Sequence, residues 1–245
     1  VFLAAEELGI YSAAMSIALR FNIVGSPFGF IISPLAADLH NRRLEYQLEN
    51  LYKIATRWEF TFAFPVFLSI VLYSKEIMSV FGPEYVRGTL VLIILSAFQL
   101  VNASVGASSS ILTMVGRQKL QLINSVVGGM ISVILGILLI PKYGIWGAAI
   151  SRGVSIGLVN IARVLEVRIL HKMHPYTLSY WKTIAAGLAA GLVGLGVNKC
   201  LGFKGINLII IGIAALMITY LSLYLILGLE TEDTIVMQAI WNRIF

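Results

Sequence analysis

Seven apolar stretches, each long enough or nearly long enough to cross a bilayer, fill most of this 245-residue chain, and few charges interrupt them. No other feature constrains the fold as strongly. A spanning helix needs about 20 apolar residues. The hydrocarbon core holds no water to satisfy stray backbone groups, so such segments must close their own hydrogen bonds as helices. The balance of side chains agrees: 58% are hydrophobic and 12% charged, with a mean hydropathy of +0.89, against roughly 25% charged in a soluble domain. The expected class is an all-α polytopic membrane protein.

The spans fall at 10–36, 58–73, 89–115, 121–140, 145–167, 183–198 and 206–229. Two of them, 58–73 and 183–198, are short for a crossing, and Trp58, Tyr73 and Trp181 flank them as aromatic interfacial anchors. The connections alternate in charge. Residues 38–57, 116–120 and 168–182 hold Arg42, Arg43, Lys53, Arg57, Arg117, Lys119, Arg168, Lys172 and Lys182, with Arg163 and Arg243 on the same side. The opposite connections hold only Lys75, Arg87, Lys142, Lys199 and Lys204. Cytoplasmic loops carry the excess of Lys and Arg, so the first set and the C-terminus are expected in the cytoplasm and residues 4–9 outside. The net charge of +6 then reports loop orientation, and nucleic acid is not an expected partner.

Helix breakers support this map. Pro141 with Gly144 predicts a tight turn between two spans, Gly82-Pro83 punctuates the loop before Thr89, and Pro175 precedes the last pair. Pro27 and Pro34 are expected to bend the first span, because proline removes a helical hydrogen bond. The single Cys200 excludes an internal disulfide and a cysteine metal site. His40, His171 and His174 fall in cytoplasmic loops without metal-ligand spacing. No phosphate-binding loop or nucleophile constellation is present, so neither a cofactor nor enzymatic catalysis is expected. No acid lies deep in a span; Glu59 reads as a helix-start residue, where the macrodipole favours a carboxylate. The chain begins at Val1 in mid-pattern, which predicts a fragment with an N-terminal part missing.

Several phrases carry a family resemblance through their order and spacing. They are Glu6-Glu7-Leu8-Gly9-Ile10-Tyr11-Ser12-Ala13-Ala14, Ser33-Pro34-Leu35-Ala36, Thr56-Arg57-Trp58, Phe81-Gly82 with Tyr85, Asn102 with Gly106 and Ile111-Leu112, and the run Leu139 to Ala149, LIPKYGIWGAA. From Val1 to about Tyr176 the chain resembles the C-terminal half of a polysaccharide-type oligosaccharide flippase, within the multidrug/oligosaccharidyl-lipid/polysaccharide exporter superfamily. The resemblance implies a fourteen-helix fold of two six-helix lobes around a cavity, plus a terminal helix pair. On that map residues 1–174 are the remainder of the C-terminal lobe, 175–229 the extra pair, and 230–245 a cytoplasmic tail, whose acids mixed with Ile235, Val236, Ile240, Trp241 and Phe245 predict a short amphipathic interfacial helix. The implied function is translocation of a lipid-linked oligosaccharide or polysaccharide precursor across the cytoplasmic membrane by alternating access. Alternatives are a peptidoglycan-precursor flippase, a multidrug exporter on the same scaffold, or a membrane-embedded glycan polymerase or ligase. The implied partners are the lipid-linked glycan, membrane lipids, the missing N-terminal lobe and glycan-assembly enzymes.

The candidate site residues follow from charge inside the spans. Arg20 lies about 15 Å along the first span at 1.5 Å per residue, where an arginine costs at least about 2.5–3.5 kcal/mol on insertion scales. Ser12, Ser16 and Arg20 recur at four-residue spacing and share a helical face. A guanidinium grips phosphate in a bidentate fork, so Arg20, with Ser16 beside it, is the leading head-group ligand. Arg152, with Ser151 and Ser155, is a second. Gln99 and Asn102 share a face with Ser96 and Gly106 as cavity-lining amides; Asn124 and Asn160 are weaker candidates. Arg163 and Glu166 are expected to form an interfacial ion pair, and the glycines of 183–198 to allow close helix packing.

Overall fold

The computed structural model describes residues 4–200, 205–228 and 230, and the elements it forms there are all helices. They are α1 (Ala5–Leu19), α2 (Asn22–Asn41), α3 (Glu45–Ser79), α4 (Thr89–Val105), α5 (Ser108–Met114), α6 (Gln118–His171), α7 (Tyr180–Cys200) and α8 (Ile206–Ile226). A 3₁₀ turn, Pro83–Gly88, leads into α4. The helices among the described residues that are long and apolar enough to cross a membrane are α3, the segment Pro83–Val105, α6, Tyr180–Val197 and α8.

With 54 residues, α6 would run about 81 Å if straight, far beyond a hydrocarbon core of about 30 Å. It folds back instead at Gly144, whose φ of 56° and ψ of −134° suit a residue without Cβ. Gln121 then meets Arg163, Asn124 meets Glu166, and Gly128 lies against Ser155 and Val159. Arms 118–143 and 145–171 are therefore two antiparallel crossings, and the reversal falls where Pro141 and Gly144 predict it. With α1–α2 and α4–α5 each taken as one interrupted segment and α6 as two arms, the described residues form seven helical segments, the number of apolar stretches in the sequence.

Several local expectations change. The first span breaks at Arg20–Phe21, where both backbone N–H groups donate one residue short of the helical partner, to Ile17 and Ala18, in the tight bonding typical of a helix end. Pro27 and Pro34, expected to bend the span, both lie within α2. The third span breaks at Gly106, with φ 39° and ψ −109°. Residues 38–57 are mostly helix rather than loop, because α3 starts at Glu45 and buries Leu48, Leu51, Tyr52 and Ala55 at helical spacing. Glu59 consequently sits well inside α3 rather than at its start, and Arg57 is buried instead of exposed on a loop. Tyr73 is an interior tether, not an interfacial anchor: it is 0% exposed and its hydroxyl donates to the Gly194 carbonyl at 3.1 Å. Trp181 is 56% exposed, as an anchor requires. His40 and His171 belong to helices, with ring centroids 6.0 Å apart. No group of three metal-ligating side chains occurs among the described residues. Of the tail 230–245, only Glu230 lies within the described residues, so the amphipathic helix expected there falls outside them.

The main core joins Ile10, Ala14 and Ala18 of α1 to Ala63, Ile70 and Met78 of α3, Leu92 and Leu95 of α4, and Ile145 and Ala149 of α6. A second cluster, centred on Ala36, Leu48, Tyr52, Ile111 and Val167, closes the end of the bundle that carries most of the basic residues. α7 and α8 pack on each other and on α3, through Ala190, Leu216 and Tyr220 against Phe64, Leu68 and Leu72. Small residues permit that approach, as expected: a Cβ at Gly187 would stand 2.2 Å from the Phe64 ring. Outward faces carry Met130, Ile134, Leu188, Leu192, Ile210 and Ile218, all exposed, as lipid-facing positions of a spanning bundle should be.

Candidate substrate groove

Where α1 ends, its Leu19 side chain approaches α4 and the two arms of α6, and a polar groove of about 290 Å³ opens between them. Gln99 and Asn102 enter from α4, one helical turn apart. Asn124, Ser125 and Gly128 come from the first arm of α6, and Arg152, Ser155, Asn160 and Arg163 from the second. The hairpin thus brings together residues some forty positions apart in sequence.

Hydrogen bonds fix this lining. Arg163 Nε donates to Gln121 Oε1 at 3.0 Å, and its Nη1 donates to Asn160 Oδ1 at 3.2 Å. Asn124 Nδ2 donates to Glu166 Oε2 at 2.8 Å. Ser155 Oγ donates to the Gly128 carbonyl across the two arms. The expected ion pair between Arg163 and Glu166 is replaced by these cross-arm bonds: each side chain takes an amide on the opposite arm. Asn160 is 1% exposed, and its Nδ2 has no hydrogen-bond acceptor. An unmade bond at a buried donor costs about 1–3 kcal/mol.

A second groove, of about 350 Å³, lies toward the other end of the bundle. Leu8, Tyr11, Val133, Ile137 and Ile140 make it largely apolar. Arg152 lines both grooves. A permanently charged guanidinium therefore stands where an amide-rich groove meets an apolar one.

Of the residues singled out in the sequence, Gln99, Asn102 and Arg152 come together in the polar groove. Arg20 and Ser16 do not line it. Arg20 is exposed at the break between α1 and α2, and Ser16 is exposed with its hydroxyl donating to the Ser12 carbonyl at 2.8 Å. Asn160, Asn124 and Arg163 belong to the lining more fully than their sequence context indicates. The available signal was the small and polar spacing Asn124, Gly128 on one arm and Ser155, Asn160, Arg163 on the other.

This arrangement, a helical bundle in which the α6 hairpin precedes the α7–α8 pair, is the fold found in about half of a known lipid II flippase. Superposition on the lipid II flippase MurJ in its inward closed conformation gives a TM-score of 0.65 at 17% identity, over 89% of this chain and 47% of that one. In sequence, the chain is 26% identical over 234 residues to the probable low-salt glycan biosynthesis flippase Agl15 of Haloferax volcanii, which is 92% of this chain and 48% of that protein. The chain thus spans about half the length of the curated relative it matches. No family model matches it. Both comparisons are with flippases, the class that the sequence motifs resemble, and the protein is a multi-pass membrane protein.

Proposed function

We propose that this chain forms one half of a flippase that moves a lipid-linked oligosaccharide or polysaccharide precursor across the cytoplasmic membrane by alternating access. The observation that carries the reading is the position of Arg152, between the amide-rich groove and the apolar one. A lipid-linked glycan has the same order of chemistry: a hydroxyl-rich sugar, a phosphate or diphosphate, and an apolar chain. Carboxamides supply paired donors and acceptors for sugar hydroxyls, a guanidinium grips phosphate, and the apolar groove receives the start of the lipid. Gln99, Asn102 and Asn160 are assigned to the sugar and Arg152 to the phosphate. Arg20 and Ser16, at the break between α1 and α2, meet the head group at an earlier or later stage of its passage. The relationship to Agl15 supports a glycan as cargo. The likeness to MurJ favours a second reading on the same scaffold, a peptidoglycan precursor.

In this proposal the basic end faces the cytoplasm, together with the C-terminus, in line with the excess of Lys and Arg there. The polar groove then opens toward the leaflet in which such precursors are made, residues 175–229 act as a peripheral pair, and glycan-assembly enzymes deliver substrate at the basic face. The test is transport of a fluorescent lipid-diphosphate-linked sugar between leaflets of proteoliposomes holding the full-length protein. Arg152→Ala is expected to lower the rate about tenfold or more, the loss of roughly one charge-assisted hydrogen bond (about 1.4 kcal/mol or above), with Arg152→Lys recovering part of it. An unchanged rate in Arg152→Ala would remove the phosphate assignment. No movement of any lipid-linked sugar by the parent protein would remove the function.

A further inference from the structure

Beside the polar groove, the Gln121 carboxamide joins three segments. Gln121 belongs to the first arm of α6. Its Oε1 accepts from Arg163 Nε of the second arm at 3.0 Å. Its Nε2 donates to Ser109 of α5, both to the hydroxyl and to the carbonyl, the latter at 3.4 Å. Arg163 in turn donates from Nη1 to Asn160 Oδ1 at 3.2 Å. A guanidinium only donates, so both carboxamides must turn their oxygen toward it. For Asn160, which is 1% exposed, this leaves Nδ2 as the free end, with no acceptor of its own.

Arg163 has a second partner within reach. Glu166 follows it by three residues on the same arm, a spacing at which opposite charges pair on a helix, and its charge acts on Arg163. Glu166 is instead held across the arms by Asn124 Nδ2 at 2.8 Å. The same side chains therefore have two arrangements. In one, Arg163 bonds Gln121 across the hairpin and Asn160 one turn back. In the other, Arg163 reaches one turn forward to Glu166. Residues 160 and 166 are about 9 Å apart along the helix axis at 1.5 Å per residue, so a guanidinium drawn to Glu166 gives up Asn160.

We propose that Gln121 is a positioning residue for the polar groove, a role that rests on the assignment of this groove to the sugar. It holds Arg163 back from Glu166, and so keeps the Asn160 carboxamide turned with Nδ2 offered to a sugar oxygen. Without that grip the guanidinium moves to Glu166, the Asn160 amide is free to rotate, and the donor is lost from its place. Ser109 lies just beyond the break at Gly106, so the setting of the groove also depends on where α5 stands: a displaced α5 loosens Gln121 and with it the sugar contact.

The experiment is equilibrium binding of two fluorescent probes to the full-length protein in detergent: a lipid-diphosphate-linked sugar, and the same lipid diphosphate without its sugar. Gln121→Met keeps the length of the side chain and neither hydrogen bond. It should weaken the sugar-bearing probe about tenfold and leave the sugar-free probe within about twofold. Gln121→Glu, which keeps an acceptor for Arg163, should bind the sugar-bearing probe nearly as the parent does. Adding Glu166→Gln to Gln121→Met removes the charge that captures Arg163 while keeping an acceptor for Asn124, and should restore most of the sugar affinity; a side chain that only supports the fold gives no such rescue. Thermal unfolding without any probe should show Gln121→Met and Glu166→Gln shifting the midpoint non-additively. Equal weakening of both probes by Gln121→Met, an unchanged sugar affinity, no recovery in the double variant, or additive midpoints would each overturn the proposal. A parent that binds neither probe, or both alike, gives a different failure: it removes the sugar from the groove, and this role with it.

Discussion

Gly153→Ala adds one methyl group at the closest approach between α4 and the second arm of α6. A Cβ at residue 153 would stand 1.9 Å from Phe98 Cδ2, 2.2 Å from Cε2 and 2.6 Å from Cγ. Carbon atoms prefer separations of about 3.5–4.0 Å, so ring and helix must part by about 1.6–2.1 Å. The ring edge is rigid, and a Cβ at Gly157 would already stand 3.7 Å from its other edge, which leaves helix displacement as the main escape. Overpacking of this kind costs about 1–3 kcal/mol. Because Arg152 precedes Gly153 and Gln99 follows Phe98, the displacement also widens the polar groove. The assay is a double-mutant cycle on thermal unfolding of the purified protein, with transport measured alongside. Phe98→Ala loses packing but removes the obstacle, so Gly153→Ala should cost far less in that background, with a coupling energy within about 0.5–3 kcal/mol. A Gly153→Ala penalty of the same size with and without the Phe98 ring would refute the packing argument, because the cost would then arise in the helix itself.

Three further outcomes are expected. Tyr73→Phe removes the bond from α3 to the Gly194 carbonyl and should destabilise by about 0.6–1.5 kcal/mol, read as a lower unfolding midpoint and faster hydrogen exchange in α7. The hydrogen bonds from Lys182 and from Ser179 hold the Glu230 carboxyl below the ordinary glutamate range. Its stabilising effect is therefore complete above that range and is lost as the pH falls through the lowered value; protection at the start of α7 should drop in acid, and Glu230→Gln should remove that dependence while lowering protection at neutral pH. Arg20→Ala, at a position outside both grooves, should leave the binding of a lipid-diphosphate-linked sugar to the detergent-solubilised full-length protein within about twofold while slowing its translocation; a loss of binding as large as that of Arg152→Ala would return Arg20 to the first contact shell.

The helical segments were legible because apolar length alone marks them, and the reversal in α6 because proline and glycine mark it three residues apart. The break at Gly106 was not, since glycine within an apolar run serves equally as a packing surface. The break at Arg20–Phe21 contains no breaker residue. The first part of α3 was misread for a different reason: the charges Glu45, Glu49, Lys53 and Arg57 suggest a loop, whereas Leu48, Leu51, Tyr52 and Ala55 among them carry the helical repeat. That error moved Glu59 to a helix start and concealed its place beside Gly106. Half of the polar groove was visible on single helices, as Gln99 with Asn102 and as Arg152 with Ser155. The remainder depends on the register of the α6 hairpin, a tertiary fact that fixes Asn160 and Arg163 opposite Asn124 and Gln121.

α3 joins two parts of the bundle. It packs against α2 and α4 on one side and against both α7 and α8 on the other, and the terminal pair reaches the rest of the described chain chiefly through it. In the language of signal transmission, α3 is a bottleneck. A change in bilayer thickness or lipid composition felt along α7 and α8 has one main route to Gln99 and Asn102, through the α3–α4 contact, and most of its degrees of freedom are filtered out on the way. The periphery can therefore vary with the surrounding membrane while the groove receives only the tilt and rotation of a single shaft.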